Sequence, residues 1–474
     1  MIFNGIDLSP YLRIKEIHGR GISPSELTLI DVPAMDGAYY SQKRRPPRVI
    51  EIEADIRASN REELRTKLDQ LNAILDVDQP VPIVFPDEPD MIYYGIPEST
   101  GEGNEYTFLH QGQLTIICPD PYKYGDEVIV EFPSDVVTVT NEGTTEADPV
   151  FELEVLEPVT FAMIQNQDED YMMIGRPVDV EDVVYTRLST ILNDNCSSLV
   201  GWTHLPDGAT LDTGIVGGTM TVRGGYAFTP ESYGTNPNGW VGPAIRRSLS
   251  EQVQDFRCEI RIGAFNTYGE VGSIELHLLD ENDNTVAVMA MRDSTTREEN
   301  RAVIQLGQEG NRYFLLNYNG GYRATWNDFS GVIRLEREGN AFQARVAMVD
   351  SDTGMHYRRH NTPVFYDTLG NYQAPIAQIV VYIAKAKDYE PYDMLMNNIY
   401  VGRINQEIGI PYIADEGDVI TFDHVNKDIL LNGESRKDLK DFGATFFKLK
   451  RGDNQLAIHP DAFNASLRYR TRFK

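Results

Sequence analysis

Retaining glycoside hydrolysis needs a nucleophile and an acid, two carboxyl groups about 5 Å apart, and one strand can carry them as E-x-D-x-x-E. The stretch ELHLLDE at 275–281 approaches that spacing, but His277 stands where the middle Asp belongs and the pattern fails. DENDNT at 280–285 begins as a calcium loop begins, yet Thr285 replaces the glycine of the sharp turn and Met291 the closing glutamate. A hairpin tip is the simpler reading. HYRRH at 356–360 spaces two histidines four apart, without the acid of the HExxH pattern and on a strand-like stretch. No glycine-rich phosphate loop and no G-x-S-x-G elbow occurs. Arg451-Gly452-Asp453 spells the adhesion tripeptide. Its flanks alternate, Phe447 and Leu449 before and Leu456 and Ile458 after, as a hairpin with one buried face does. These residues predict a turn, shaped by Gly452 and Asn454, and not a receptor ligand. No catalytic residue, metal or cofactor is expected.

The segment 188–404 opens with LNDNCSSLVGW and closes with MNNIYVGRI, which resembles jelly-roll carbohydrate-binding modules, and that resemblance implies two loop-like stretches in which pyranose faces stack on aromatic rings and amides or guanidinium groups take the hydroxyls. One is ESYGTNPNGW, with Tyr233, Asn238 and Trp240. The other is NYNGGYRATWND, with Asn319, Tyr322, Arg323 and Trp326. The competing reading puts the tryptophans in a core. Trp202 reads that way, whereas the Gly/Asn-rich neighbours of Trp240 and Trp326 favour loops.

The elements that must position these residues are almost all strands. The chain has 474 residues, about three domains' worth, and 41% hydrophobic residues. No run approaches the roughly 20 apolar residues of a membrane helix, and MIFNGIDLSP does not begin as a signal peptide does. Three cysteines, 118, 196 and 258, form neither a disulfide framework nor a zinc spacing, which fits synthesis in a reducing cytoplasm. A net charge of −29 argues against nucleic acid as a ligand. The charge is uneven. Residues 126–187 hold 16 acids against 2 bases and 436–474 hold 10 bases against 4 acids, so the two could lie side by side in one domain or each decorate its own solvated face.

One helix is expected, after Asn60, where Leu64, Leu68, Leu71, Ile74 and Leu75 form a stripe and Glu63 completes a capping box. VIEIEADIRA at 49–58 alternates as a strand, and VITFDHVNKDILLNGES at 419–435 reads as strand, turn, strand and an Asn-Gly turn. Between 188 and 404, FRCEIRIGAF, SIELHLLD, TVAVMAMR, VIRLERE, FQARVAMVD, AQIVVYIAKA and NNIYVGRI predict a sandwich of antiparallel sheets.

Several of these motifs, in order, resemble the distal tail protein of long, flexible-tailed bacteriophages. In front they are FNGIDLS, VPAMDGAYYSQKRRPPRVIEIEADI, the helix, PVPIVFPDEP and GQLTIICPDPYKYG. Behind, they are EGDVITFDHVNKDILLNGESRKDL, FFKLKRGDNQLAI and LRYRTRFK. The resemblance implies a front β domain at 1–125 with one helix and a projecting hairpin, closing into a hexameric ring. It also implies a galectin-like sandwich split between 126–187 and 405–474. The 188–404 segment departs from the short family pattern. It opens with LNDNCSSLVGW and closes with MNNIYVGRI, and so resembles an inserted jelly-roll carbohydrate-binding or laminin-G-like module.

The fold class expected is mainly β: several antiparallel sandwich or jelly-roll domains with one helix in the first. The function implied is a structural ring in the virion tail tip, joining the tail tube to the adsorption tip. The partners implied are other copies of the chain, the tail tube protein, the tape measure protein, a tail tip or tail-associated protein, a receptor-binding protein and host cell-wall saccharide. Neither membrane nor specific nucleic acid is expected as a partner. Two other classes stay open at this point, a tail-borne polysaccharide hydrolase and a free adhesin or lectin.

Overall fold

The structure is a computed structural model that describes the chain except residues 23–24, 32, 34–35, 180–181, 236–238 and 387–388, and except the side chains of 99–102. Asn238, one of the expected sugar contacts, lies outside the described residues.

The chain is mainly β, in antiparallel sheets, with one α-helix among the described residues. In the front region, Arg48–Arg57 pairs with Leu109–Cys118 along its whole length, from Arg48↔Cys118 to Arg57↔Leu109. Alternation puts Ile50, Ile52 and Ile56 on the buried face with Phe3, Leu8, Leu114 and Ile116. The helix Arg61–Leu75 covers this core with Leu64, Leu71 and Leu75. Asn60 caps it by accepting from the Glu63 amide at 2.9 Å. The return half of the box is shifted by one residue, because the Glu63 carboxylate accepts from the Ser59 amide at 2.8 Å. Glu26–Ile30 and Tyr39–Arg44 form a separate two-stranded hairpin.

The acidic and basic segments share one sandwich. Phe463–Phe473 lies between Lys123–Glu131 and Val150–Val155, and the latter pairs in turn with Val419–Asp423. The facing sheet places Gly452–His459 between Val136–Asn141 and Phe161–Asn166. Across these ladders Arg468 meets Glu152 at 3.3 Å, Arg472 meets Asp148 at 2.9 Å and Lys450 meets Asp168 at 2.9 Å. The charge asymmetry therefore reflects strand pairing between distant parts of the chain.

The adhesion-like tripeptide lies in this sandwich, and its flanks differ from the expected hairpin. Phe447 and Leu449 are buried with Leu456 and Ile458, but Leu449 bridges to Ala147 and Gly452–His459 pairs with other strands. The turn between them takes Gly452 at φ +86°, and the buried Asn454 side chain closes it, accepting from the Lys450 amide and donating to the Lys450 carbonyl, both at 2.8 Å. Asp453 accepts from Thr140 Oγ1 at 2.6 Å.

The sandwich is interrupted by a separate body. Leu188–Asp194 and Asp393–Ile404 pair with each other, Leu188 opposite Ile404, so the chain leaves and returns at adjacent points. That proximity is the condition under which a long insertion is tolerated. Between them stand two large sheets. One is built around Phe256–Phe265, Phe329–Glu338 and Ala341–Val349, the other around Gly272–Leu279, Thr285–Asp293, Arg301–Leu306 and Ile376–Ala386. Their inner faces share one core, from Leu192 to Val401, which includes Trp202, Phe228, Trp326 and Phe329.

Candidate functional site

Gly272–Leu279 turns Ile274, Leu276 and Leu278 into the core and Ser273, Glu275 and His277 outward. An outward carboxylate beside a histidine is where hydrolytic chemistry would sit, yet all three polar residues are fully buried. The segment 205–216 lies over them. Leu205, Ala209, Leu211 and Val216 make a second small core with Val380, Tyr382 and Trp240, and Tyr382 Oη donates to the Ile215 carbonyl at 3.0 Å. Beneath it Glu275 is saturated. It receives Ser273 Oγ and Thr213 Oγ1 at 2.6 Å each, Arg292 Nη2 at 2.7 Å and His277 Nε2 at 2.9 Å. Burial alone would raise its pKa. The Arg292 charge and the bonds from His277 and Ser273 outweigh burial and hold the carboxyl well below the usual carboxylate range. A sealed and fully bonded carboxylate does not reach a glycosidic oxygen.

The other sequence signals resolve similarly. DENDNT is the tip between Gly272–Leu279 and Thr285–Asp293. Asp280 accepts from the amides of Asn282 and Asn284 at 2.8 Å each, and Asp283 accepts from Arg246 at 3.0 Å. The histidines of HYRRH are used separately, since His356 Nδ1 lies 3.3 Å from Arg345 and the His360 ring packs on Tyr318. Among the described residues, Glu16, His18 and Glu53 do bring metal-type ligand atoms together, all on exposed side chains of the front region.

The predicted saccharide contacts divide. Trp326 is 1% exposed and meets Phe329 edge to face at 5.9 Å, so it leaves the site. The ring sits in the core, and Asn300 donates to the Trp326 carbonyl at 3.0 Å. Trp202 is likewise core, its Nε1 donating to Asp194 at 3.0 Å. Trp240 is half-buried in the small core with the Arg292 guanidinium 5.3 Å from its ring, and Tyr233 is half-buried against the large core. Asn319 is already engaged, donating to Glu299 of the neighbouring loop at 3.0 Å and accepting from the Gly321 amide of its own at 3.2 Å. Tyr322, at 82% exposure, and Arg323 face solvent as expected.

The same end of the sandwich shows two aromatics that the sequence reading missed, Tyr268 at 78% and Tyr389 at 43% exposure. The loops bearing them are tied together. The Val271 amide donates to the Glu390 carbonyl at 2.9 Å, and Gly269 to Thr296 at 3.1 Å. Beneath, buried Asn266 donates to Asp293 at 2.8 Å and accepts from Asn300 at 2.8 Å. Isolated tyrosines between strands have no spacing signal. The clustered Asn and Asp of these loops was the legible part.

A different surface stands out in the front region. Leu27, Leu29, Ile30, Tyr39 and Tyr40 of the isolated hairpin are each more than half exposed. Leu29 sits opposite Tyr40 and Ile30 opposite Tyr39, which leaves apolar surface on both faces.

The comparisons with known proteins fall on the same two ends. Residues 6–118 match the family described as the phage tail protein RIFT-related domain, and residues 396–473 match the siphovirus-type tail component, C-terminal domain. Both ends of the chain thus match models of phage tail domains. The chain is similar to the distal tail protein of Bacillus phage SPP1, 33% identical over 150 residues, which is 31% of this chain and 59% of that protein. The chain thus spans under two thirds of that relative's length. The crystal structure of the SPP1 protein aligns at 28% identity with a TM-score of 0.35, covering 38% of this chain and 74% of that one. The CBM2 module of the evolved distal tail protein of Lactobacillus casei BL23 phage J-1 aligns at 15% identity and TM-score 0.39, over 47% of this chain and 98% of that module. Bacillus licheniformis β-glucanase aligns at 10% identity and TM-score 0.30, over 46% and 99%. At these scores the solved structures carry no argument about activity.

Proposed function

We propose that this chain is a structural protein of the phage tail tip, a hub ring between tail tube and adsorption apparatus, whose inserted module holds host cell-wall saccharide. The observation that carries the reading is the ordered match of both ends to tail domains, with an independent sandwich between them that begins and ends on paired strands. In this reading 1–125 is the ring former, 126–187 and 405–474 the split sandwich, and 188–404 the passenger. Six copies close the ring, and the apolar hairpin is the surface a neighbouring copy covers. Full burial of one such side chain is worth about 1.5–3 kcal/mol, so the hairpin supports association. Tail tube, tape measure, tail-associated and receptor-binding proteins are the partners such a hub meets.

The module binds and does not cleave. The sealed Glu275 supports this over the hydrolase reading, and the outward tyrosines at the loop end support saccharide contact. Sixfold display multiplies a weak contact if all copies reach one wall together. The test uses antibody against 188–404 on intact virions under the electron microscope, with full chain incubated on host cell walls. Label confined to the tail tip with chain retained on walls is the expected result. Label elsewhere overturns the hub reading, and release of reducing ends from the wall overturns the binding reading.

A further inference from the structure

The inserted module meets the rear sandwich through the outer face of one sheet. Phe256–Phe265 and Phe329–Glu338 set Glu259 opposite Arg334, and Ala341–Val349 sets Arg345 on the other side of Arg334. Facing this row is the Asn432-Gly433 turn of the rear sandwich, and after it Glu434. Arg334 gives both terminal nitrogens to the Glu434 carboxylate, at 3.1 and 2.6 Å, and its Nε to Glu259 at 2.6 Å. Arg345 Nη1 stands 3.5 Å from Glu434. All four side chains are less than one fifth exposed. The backbone adds a bond across the seam, the His356 amide donating to the Gly433 carbonyl at 3.1 Å. Gly433 has φ +78°, and a Cβ there would run into the Gly354 carbonyl oxygen, so the turn can come this close only as glycine.

The rest of the connection is slight. The two linking segments form a ladder of Val184–Tyr185 with Ile410–Pro411, Asn405 bonds the Arg187 carbonyl through its amide at 2.8 Å and the Thr186 carbonyl through Nδ2 at 2.6 Å, and Arg187 reaches Glu338 at 2.8 Å. Open clefts of about 810 Å³ and 340 Å³ border the contact, both lined by Arg334. A narrow neck of this kind beside open clefts is braced against rotation by an off-axis contact. A forked, partly dry arginine–carboxylate pair is the directional interaction that can stop it. Removing Glu434 leaves the Arg334 fork without the carboxylate on its two terminal nitrogens, with Nε still held by Glu259, and a partly desolvated charge so under-paired is what gives the lock its stiffness.

We propose that Glu434 is a positioning residue that locks the inserted module at one angle to the rear sandwich, so that every copy in the ring points its loop end the same way. The consequence for presentation rests on the ring reading above, whereas the lock itself is intramolecular.

The test compares full-length wild type, Glu434→Gln and Arg334→Lys by amide hydrogen exchange and small-angle X-ray scattering. In the wild type the His356 amide should be protected. In E434Q it should exchange at least roughly tenfold faster, the order of effect of about 1.4 kcal/mol, and the scattering envelope should broaden. R334K, which keeps the charge and loses the fork, should fall between the two. Amides of Leu276 and Phe422, inside the two cores, should not change. E434Q matching wild type in both measurements overturns the proposal. If E434Q loses core protection as well, the wild-type His356 amide decides, and its exchange at a free-loop rate overturns the proposal. None of these readouts needs a ring or a sugar, so failure of the hub reading would leave them interpretable.

Discussion

The front hairpin and the outer face of the module's central sheet treat exposed chemistry in opposite ways. The hairpin leaves Leu27, Leu29, Ile30, Tyr39 and Tyr40 in solvent, while the sheet buries even Glu275 and His277 under the 205–216 segment. A folded chain rarely keeps a large apolar surface without a use for it, and rarely buries an ion without saturating it. In the proposed ring the hairpin is the surface that a neighbouring copy covers. The sheet marks where polar side chains are covered by a folded-back segment and saturated by one another. Function lies at the edges of the scaffold.

This contrast can be broken at both ends. The largest effect should follow from charging the hairpin. Leu29→Asp with Tyr40→Asp should weaken self-association by roughly a hundredfold or more, from about 1.5–3 kcal/mol per side chain. Sedimentation reads it, and because both positions are exposed the unfolding midpoint should hardly move. At the sealed sheet, Glu275→Ala should cost about 3–5 kcal/mol in urea unfolding, because Arg292 is left without its buried partner. Retained stability there would mean the network is idle. Trp326→Ala should cost a similar amount, about 3–5 kcal/mol, as a core cavity. Tyr322→Ala, four residues away, should stay within about 0.5 kcal/mol and lower only retention on cell walls.

A pH effect separates the buried histidines of the rear sandwich and of the inserted module from the hairpin. Burial, with Lys427 nearby, pushes the His424 pKa down to about 4, and burial beside Arg345 pushes His356 down to about 4. Between pH 6.5 and 4 the unfolded chain binds protons that these folded sites refuse. Their stabilisation is present above about 6.5 and lost as pH falls through that window, on the order of 3 kcal/mol per site. Thermal unfolding across pH 4–7 should show the slope, and His424→Gln should flatten part of it. The hairpin, which contains no histidine, should associate with no step at that pH.

Much of the fold was legible in the sequence because its signals are local. The leucine stripe after Asn60 gave the helix, strict alternation gave Arg48–Arg57, and Asn432-Gly433 gave its turn. Charge complementarity between 126–187 and 436–474 left open a pairing more than 300 residues apart, which the Arg468–Glu152 contact displays. The candidate site was legible only in part. Loop composition drew attention to Tyr322 and Arg323, but it did not reveal that Trp326 would sit in the core. The flanks of Gly452 alternate as a hairpin's do, yet their partners are strands far away in sequence, and periodicity cannot name a partner. Nor does any periodicity announce that 205–216 folds back over Glu275, because the strands of that segment, Thr210–Leu211 and Gly214–Val216, are two and three residues long and too short to alternate legibly.

The central claim is that the front region closes copies of this chain into a ring through its exposed hairpin. The most direct measurement is the mass and symmetry of the purified full chain, by native mass spectrometry together with electron microscopy of single particles. The account predicts a closed sixfold ring in which the 26–44 hairpin lies covered at the contact between neighbours. A chain that stays monomeric at tens of micromolar, or a ring whose hairpins remain in solvent, would contradict it.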